Sequence, residues 1–104
     1  MKTDSLKEFV LDQLRRLDGL KCRAMFGGHG LYASEKFFGI LLKGRLYFKT
    51  NAATCAQYLA RGMKPFRPNV KQELASYFEV PADVMEDAAQ LETWAREAIK
   101  IGGE

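Results

Sequence analysis

The sequence predicts one α+β domain: an antiparallel sheet of about five strands with an N-terminal helix, a short central helix and a C-terminal helical segment. Three observations predict it. The 104 residues are the size of one ordinary domain, and 47% hydrophobic with 28% charged side chains is the balance of a soluble globular core. Apolar periodicity then runs in the order helix, four short strands, helix, strand, helix, without the strand–helix–strand alternation of a doubly wound sheet. Finally, the middle apolar runs are separated by glycine and short charged pairs, as in strands joined by hairpins. No repeat, low-complexity tract or linker divides the chain.

Each element has its own signal. Leu6, Phe9, Val10, Leu14 and Leu17 recur at helical spacing, with Asp4 or Ser5 placed to cap the helix and Gly19 to end it. Cys22, Ala24 and Phe26 alternate with Lys21, Arg23 and Met25, which predicts a strand with one buried face. Gly27-Gly28-His29-Gly30 reads as a turn or bulge, Leu31-Tyr32-Ala33 as the start of a second strand, and Ser34-Glu35-Lys36 as the next turn. Phe37 to Leu42 is apolar on both faces, as a central strand is. After Lys43-Gly44, Leu46 and Phe48 alternate with Arg45, Tyr47 and Lys49.

Asn51 suits a helix cap, Cys55, Tyr58 and Leu59 share a helix side, and Gly62 is a stop. Pro65 and Pro68 make Met63 to Asn69 an extended loop or edge segment. Leu74 to Val80 is the fifth strand, after a bend around Lys71-Gln72-Glu73. Pro81 opens a helical stretch whose stripe is Val84, Met85, Ala88, Leu91, Trp94, Ala95 and Ala98, with a break expected near Asp87.

Composition excludes several function classes. No apolar run approaches the ~20 residues of a membrane helix, and the first residues lack a signal-peptide core, so a cytoplasmic protein is expected. Cys22 and Cys55 are too few for a disulfide framework and read as small buried hydrophobes. With one histidine and no paired-cysteine spacing, no zinc site and no other cofactor is expected. The Gly27–Gly30 run is followed by a strand, not by the helix that a phosphate loop feeds, and no Lys-Ser/Thr pair completes a Walker sequence. His29 has no partner in sequence that would make it a general base. A non-enzymatic protein is expected.

The charge distribution carries more. Residues 19–71 hold ten bases and one acid, Glu35, whereas residues 72–104 hold two bases and eight acids. Such segregation bears on partners rather than on fold. With a side-chain period of two, Arg45, Tyr47 and Lys49 share one side of their strand. Lys21 and Arg23 can join that side, and Lys64, Arg67 and Lys71 follow in the proline-containing segment. The set reads as a contact surface for a partner protein or for nucleic-acid phosphates, with Tyr47 available to stack. The plain alternative is a solvated face, neutralised by Glu73, Glu79, Asp83 and Glu86.

The wording of the apolar runs also resembles a known family. Arg23-Ala24-Met25-Phe26-Gly27-Gly28-His29-Gly30-Leu31-Tyr32, Phe37-Phe38-Gly39, Leu46-Tyr47-Phe48-Lys49 and Tyr58 are similar to the N-terminal domain of the bacterial TfoX/Sxy competence regulators. So are Gly62-Met63-Lys64-Pro65-Phe66, Tyr77-Phe78-Glu79-Val80-Pro81 and Leu91-Glu92-Thr93-Trp94-Ala95, in the same order. The resemblance implies an α+β fold, a role as transcriptional co-regulator, and no catalytic residues. It implies a protein partner, a transcription factor such as the cyclic-AMP receptor protein. Longer members carry a second, C-terminal domain of helix-hairpin-helix character, to which no part of these 104 residues corresponds. The expected function is a regulatory interaction domain; direct nucleic-acid binding through the basic sheet face is the alternative. Oligomeric state is left open by the sequence.

Overall fold

The computed structural model describes residues 3–25, 27–69 and 72–102. The chain runs through α1 (Thr3–Gln13), β1 (Leu20–Met25), β2 (Gly28–Ala33), β3 (Lys36–Leu42), β4 (Arg45–Lys49) and α2 (Cys55–Leu59). It continues through β5 (Pro65–Asn69), β6 (Gln72–Glu79), α3 (Ala82–Met85) and α4 (Ala88–Gly102). The strands form one antiparallel sheet in the order β1-β2-β3-β4-β6-β5. The α+β class stands, and the sheet has six strands. The extra one is the proline segment 65–69, held at the edge where a strand can spare the donors that Pro65 and Pro68 lack.

Hairpin chemistry sets the register of β1 to β4. Met25 pairs with Gly28, so Gly28, His29 and Gly30 belong to β2 and only Gly27, at φ 78°, belongs to the turn. The glycines inside the strand serve close approach instead. A Cβ at Gly28 would overlap the Leu41 carbonyl oxygen, and one at Gly30 would lie 2.8 Å from the Phe37 ring. The β2–β3 and β3–β4 loops are two residues long, Ser34-Glu35 and Lys43-Gly44, with positive φ at all four positions, as type I′ turns require. Lys36 therefore opens β3 instead of closing the turn. Between Leu31 and Tyr32 the β2–β3 register shifts, which makes Phe38 the extra residue of a bulge.

All the helices lie on one face. Leu6, Val10, Leu14 and Leu17 from the N-terminal segment meet Leu31, Phe38, Leu41, Leu46, Phe48 and Phe78 from the sheet. Tyr58, Leu91, Trp94, Ala95 and Ala98 complete this main core, so Trp94 is a packing residue. Helix α1 begins by Thr3, so Asp4 and Ser5 lie within it, and it ends at Gln13; Leu14 and Leu17 are buried from the turns that follow. Asn51 caps the turn leading into α2, its Oδ1 accepting the N–H groups of Ala53 and Thr54. Gly62, at φ 75°, closes α2 with the Schellman pattern: its N–H reaches Leu59 O and that of Met63 reaches Tyr58 O. The break near Asp87 is real: its carboxylate accepts the N–H groups of Ala89 and Gln90 and starts α4.

One expectation for β1 needs correction. Leu20 and Cys22 pack against the core, but Ala24 is exposed because the strand is a sheet edge; Phe26 lies outside the described residues. Both cysteines are free and half-buried.

Candidate functional site

The face of the sheet turned away from the helices carries a second, smaller apolar cluster. Ile40, Phe66 and Tyr77 are its buried members, with Phe37, Leu42 and Tyr47 packed against them. Every one of these is a strand residue. Alternation places them there: on β4, Leu46 and Phe48 enter the main core while Arg45, Tyr47 and Lys49 point the other way. On β6, Phe78 faces the helices, and Tyr77 and Glu79 lie opposite Lys49 and Tyr47.

Rings cross this face in contact. Tyr32 meets Phe37 at 5.2 Å between centroids, and Phe37 meets Tyr77 at 5.7 Å. Cations close both ends of the row: Arg23 Cζ lies 5.3 Å from the Tyr32 centroid, and Lys49 Nζ lies 5.2 Å from that of Tyr77. Such contacts are worth about 0.5–1 kcal/mol each at exposed sites. Their larger consequence is positional, because they hold two long cationic side chains down on apolar surface.

Beside the row, Arg45, Tyr47, Lys64, Pro65, Arg67 and Glu79 line a cleft of about 420 Å³. Tyr47 and Phe66 pack at 4.7 Å beneath it. The Arg45 guanidinium donates from Nη1 to Glu79 Oε1 at 2.9 Å. That hydrogen bond raises the Arg45 pKa further, and the guanidinium stays charged. With the Arg45 side chain 60% exposed, the pair adds under ~1 kcal/mol to stability and acts chiefly to orient the guanidinium. Burial pushes the Tyr47 phenol up, Glu79 adds to the shift and Arg45 opposes it. Burial also raises Tyr77, with a contribution from Tyr32. Both remain neutral phenols near neutral pH.

The structure thus brings Arg45, Tyr47 and Lys49 onto one face and joins Lys64 and Arg67 to them. Lys21 and Arg23 line a separate cleft of about 200 Å³ with Tyr32 and Glu35. Lys71 lies outside the described residues. The proposed neutralisation by C-terminal acids is partial. Glu79 reaches Arg45, but Asp83 pairs with Arg61 at 2.6 Å, and Glu92 pairs with Arg96 within α4. The Glu73 side chain lies outside the description.

Residues that hold this surface together without having been singled out for it by sequence are Tyr32, Phe37, Phe66 and Tyr77; Glu79 was expected there as a neutralising acid. Period-two alternation from Phe78 would have found Tyr77. Phe37 depends on the bulge, which leaves no mark in the sequence. His29 sits in β2 between Ala24 and Leu41, not in a turn, and its Nδ1 is enclosed without a hydrogen-bond partner. Burial raises the Cys22 thiol, with Lys7 opposing, which is the reverse of nucleophile activation. Among the described residues, no three His, Cys, Asp or Glu side chains gather as a metal site, and no helix is long and apolar enough to cross a membrane.

Residues 12–101 match the family model of the TfoX N-terminal domain. The chain belongs to this family. The TfoX-type domain is also 28% identical over 97 residues to the DNA transformation protein TfoX1 of Aliivibrio fischeri, a match covering 91% of this chain and 46% of that protein. It therefore spans about half the length of that relative. Residues of the runs quoted above for the resemblance serve the fold and the open face alike. Gly28, Gly30 and Gly39 permit strand contact, Phe48 and Trp94 fill the main core, and Tyr47, Lys49 and Tyr77 form the helix-free surface.

Proposed function

We propose that this TfoX-type domain is a non-enzymatic regulatory module of competence that docks a protein partner on its helix-free sheet face. The observation that carries this reading is the row of tilted rings with cations lying on them. Base stacking needs a ring face open to the nucleotide. Here Arg23 lies over Tyr32, Lys49 lies over Tyr77, and neighbouring rings meet at 51–54°. A surface of aromatic and cationic side chains, apolar at its centre and charged at its rim, has the composition of a protein interface. By family likeness the partner is a transcription factor such as the cyclic-AMP receptor protein, and the setting is the cytoplasm.

A second reading, direct nucleic-acid binding, is favoured by one observation. Lys21, Arg23, Arg45, Lys49, Lys64 and Arg67 gather about this face and its clefts, and among the described residues Glu35 and Glu79 are the acids that line those clefts. One titration separates the two. Labelled promoter duplex is mixed with the chain, with and without a bacterial cyclic-AMP receptor protein, at low and near-physiological salt. The partner reading predicts that the chain joins the protein–DNA complex, leaves naked duplex unbound, and fails in Lys49→Glu. Binding to naked duplex that falls steeply with salt selects the second reading. Association with neither refutes both.

A further inference from the structure

We infer that the cleft between β4 and β5 is an acidic-peptide site: it takes a carboxylate-bearing segment of the partner protein, with an apolar side chain seated on Tyr47 and Pro65. This inference rests on the partner reading above and specifies the chemistry of what docks. The cleft has a shape and a charge that the rest of the face lacks. Its volume of about 420 Å³ falls in the range of formed binding pockets, and it sits beside buried Phe66. Its floor is apolar where Tyr47 and Pro65 line it, and among the described side chains Arg45 and Lys64 bring positive charge to its rim beside the carboxylate of Glu79. An anion is the complementary occupant.

Glu79 decides which anion. Its carboxylate holds Arg45 by a single Nη1 contact, which occupies one of the five guanidinium N–H donors and fixes the group at the cleft wall. A phosphodiester backbone carries its charges at fixed spacing and would bring some of them against Glu79. A peptide segment can place a carboxylate on Arg45 and Lys64 while an apolar or aromatic neighbour fills the floor. It can also turn a neutral residue towards Glu79. The backbone is braced for this load: Glu79 N–H donates to Lys64 O at 3.1 Å, so Lys64, just before β5, is tied directly to the end of β6 at the cleft.

The test uses a fluorescein-labelled decapeptide with two Asp-Glu pairs flanking one Phe, titrated with the full chain and followed by anisotropy. Binding is expected with a dissociation constant on the order of 10–100 µM. Lys64→Glu should weaken it at least about tenfold, the scale of one lost charge-assisted contact. Arg16→Glu, an identical charge change at an exposed site outside the cleft, should leave it within about twofold. Lys64→Ala supplies a second cleft variant should thermal melting show Lys64→Glu unfolded. Equal binding by wild type and both cleft variants would overturn the inference, as would full displacement of the peptide by inorganic phosphate at matched ionic strength. No peptide binding by a chain that still joins the receptor–promoter complex in a Lys49-dependent way overturns the acidic-peptide site alone. Loss of both refutes the partner reading as well.

Discussion

Replacing the glycines of β2 one at a time separates a packing role from a ligand-binding one. A methyl group at Gly28 overlaps the Leu41 carbonyl oxygen, and backbone is the least compliant neighbour it could meet. Relief requires β2 and β3 to part at the His29–Leu41 pair, leaving one or two buried ladder groups unsatisfied at about 1–3 kcal/mol each. Gly28→Ala should therefore cost about 3 kcal/mol. For a domain near 100 residues that is a fall in melting temperature on the order of 10–20 °C. At Gly30 the new Cβ would lie 2.7 Å from Met25 Cε and 2.8 Å from Phe37 Cε1. The methionine end can swing aside and the ring cannot do so freely, so the cost is about 1–2 kcal/mol, within the range of overpacking. Gly27 has open space but φ 78°, so Gly27→Ala should cost about 1 kcal/mol, and Gly27→Asn less. Chemical denaturation of the three variants checks the order Gly28, Gly30, Gly27. An unchanged midpoint for Gly28→Ala, or Gly27→Ala as the worst variant, would refute the close-approach account and return the glycine run to a loop function.

Three further outcomes follow from individual residues. Glu35 holds φ 69° in a two-residue turn, so Glu35→Gly should stabilise the domain by about 1 kcal/mol in thermal melts. Burial, with Glu97 adding, raises the Tyr58 phenol far above its ordinary value. Stability that is fully present below about pH 10 should then fall by about 1.4 kcal/mol per pH unit above it, and Tyr58→Phe should flatten that alkaline limb in denaturation. Phe48, fully buried against Phe38, should cost about 3–5 kcal/mol as Phe48→Ala, whereas Lys49→Glu one residue on should melt within about 1 kcal/mol of wild type. Near-equal losses at the two positions would contradict the alternation of β4.

Local pattern carried most of the architecture. The stripe Leu6, Val10, Leu14, Leu17 is buried as its spacing requires, Arg45 to Lys49 alternates as read, and Asp87 breaks the C-terminal helix where its side chain can cap. Long-range register did not show. Pro65 and Pro68 left 63–69 open between an extended loop and an edge segment, and only pairing with β6 shows that it is an edge strand. Gly28 and Gly30 look like a loop until their partners, Leu41 and Phe37, are brought beside them. The basic residues of the candidate surface were legible from period two and charge segregation. The rings beneath them were not, because Tyr32, Phe37 and Tyr77 come from three strands and one bulge aligns them.

The most direct test of the docking surface is aromatic-ring NMR on the labelled chain, titrated with a bacterial cyclic-AMP receptor protein on promoter duplex. The account predicts that Tyr32, Phe37, Tyr47 and Tyr77 shift or broaden while Tyr58 and Trp94, in the helix-side core, do not. Perturbation confined to the helix side, or an identical pattern with naked duplex alone, would contradict it.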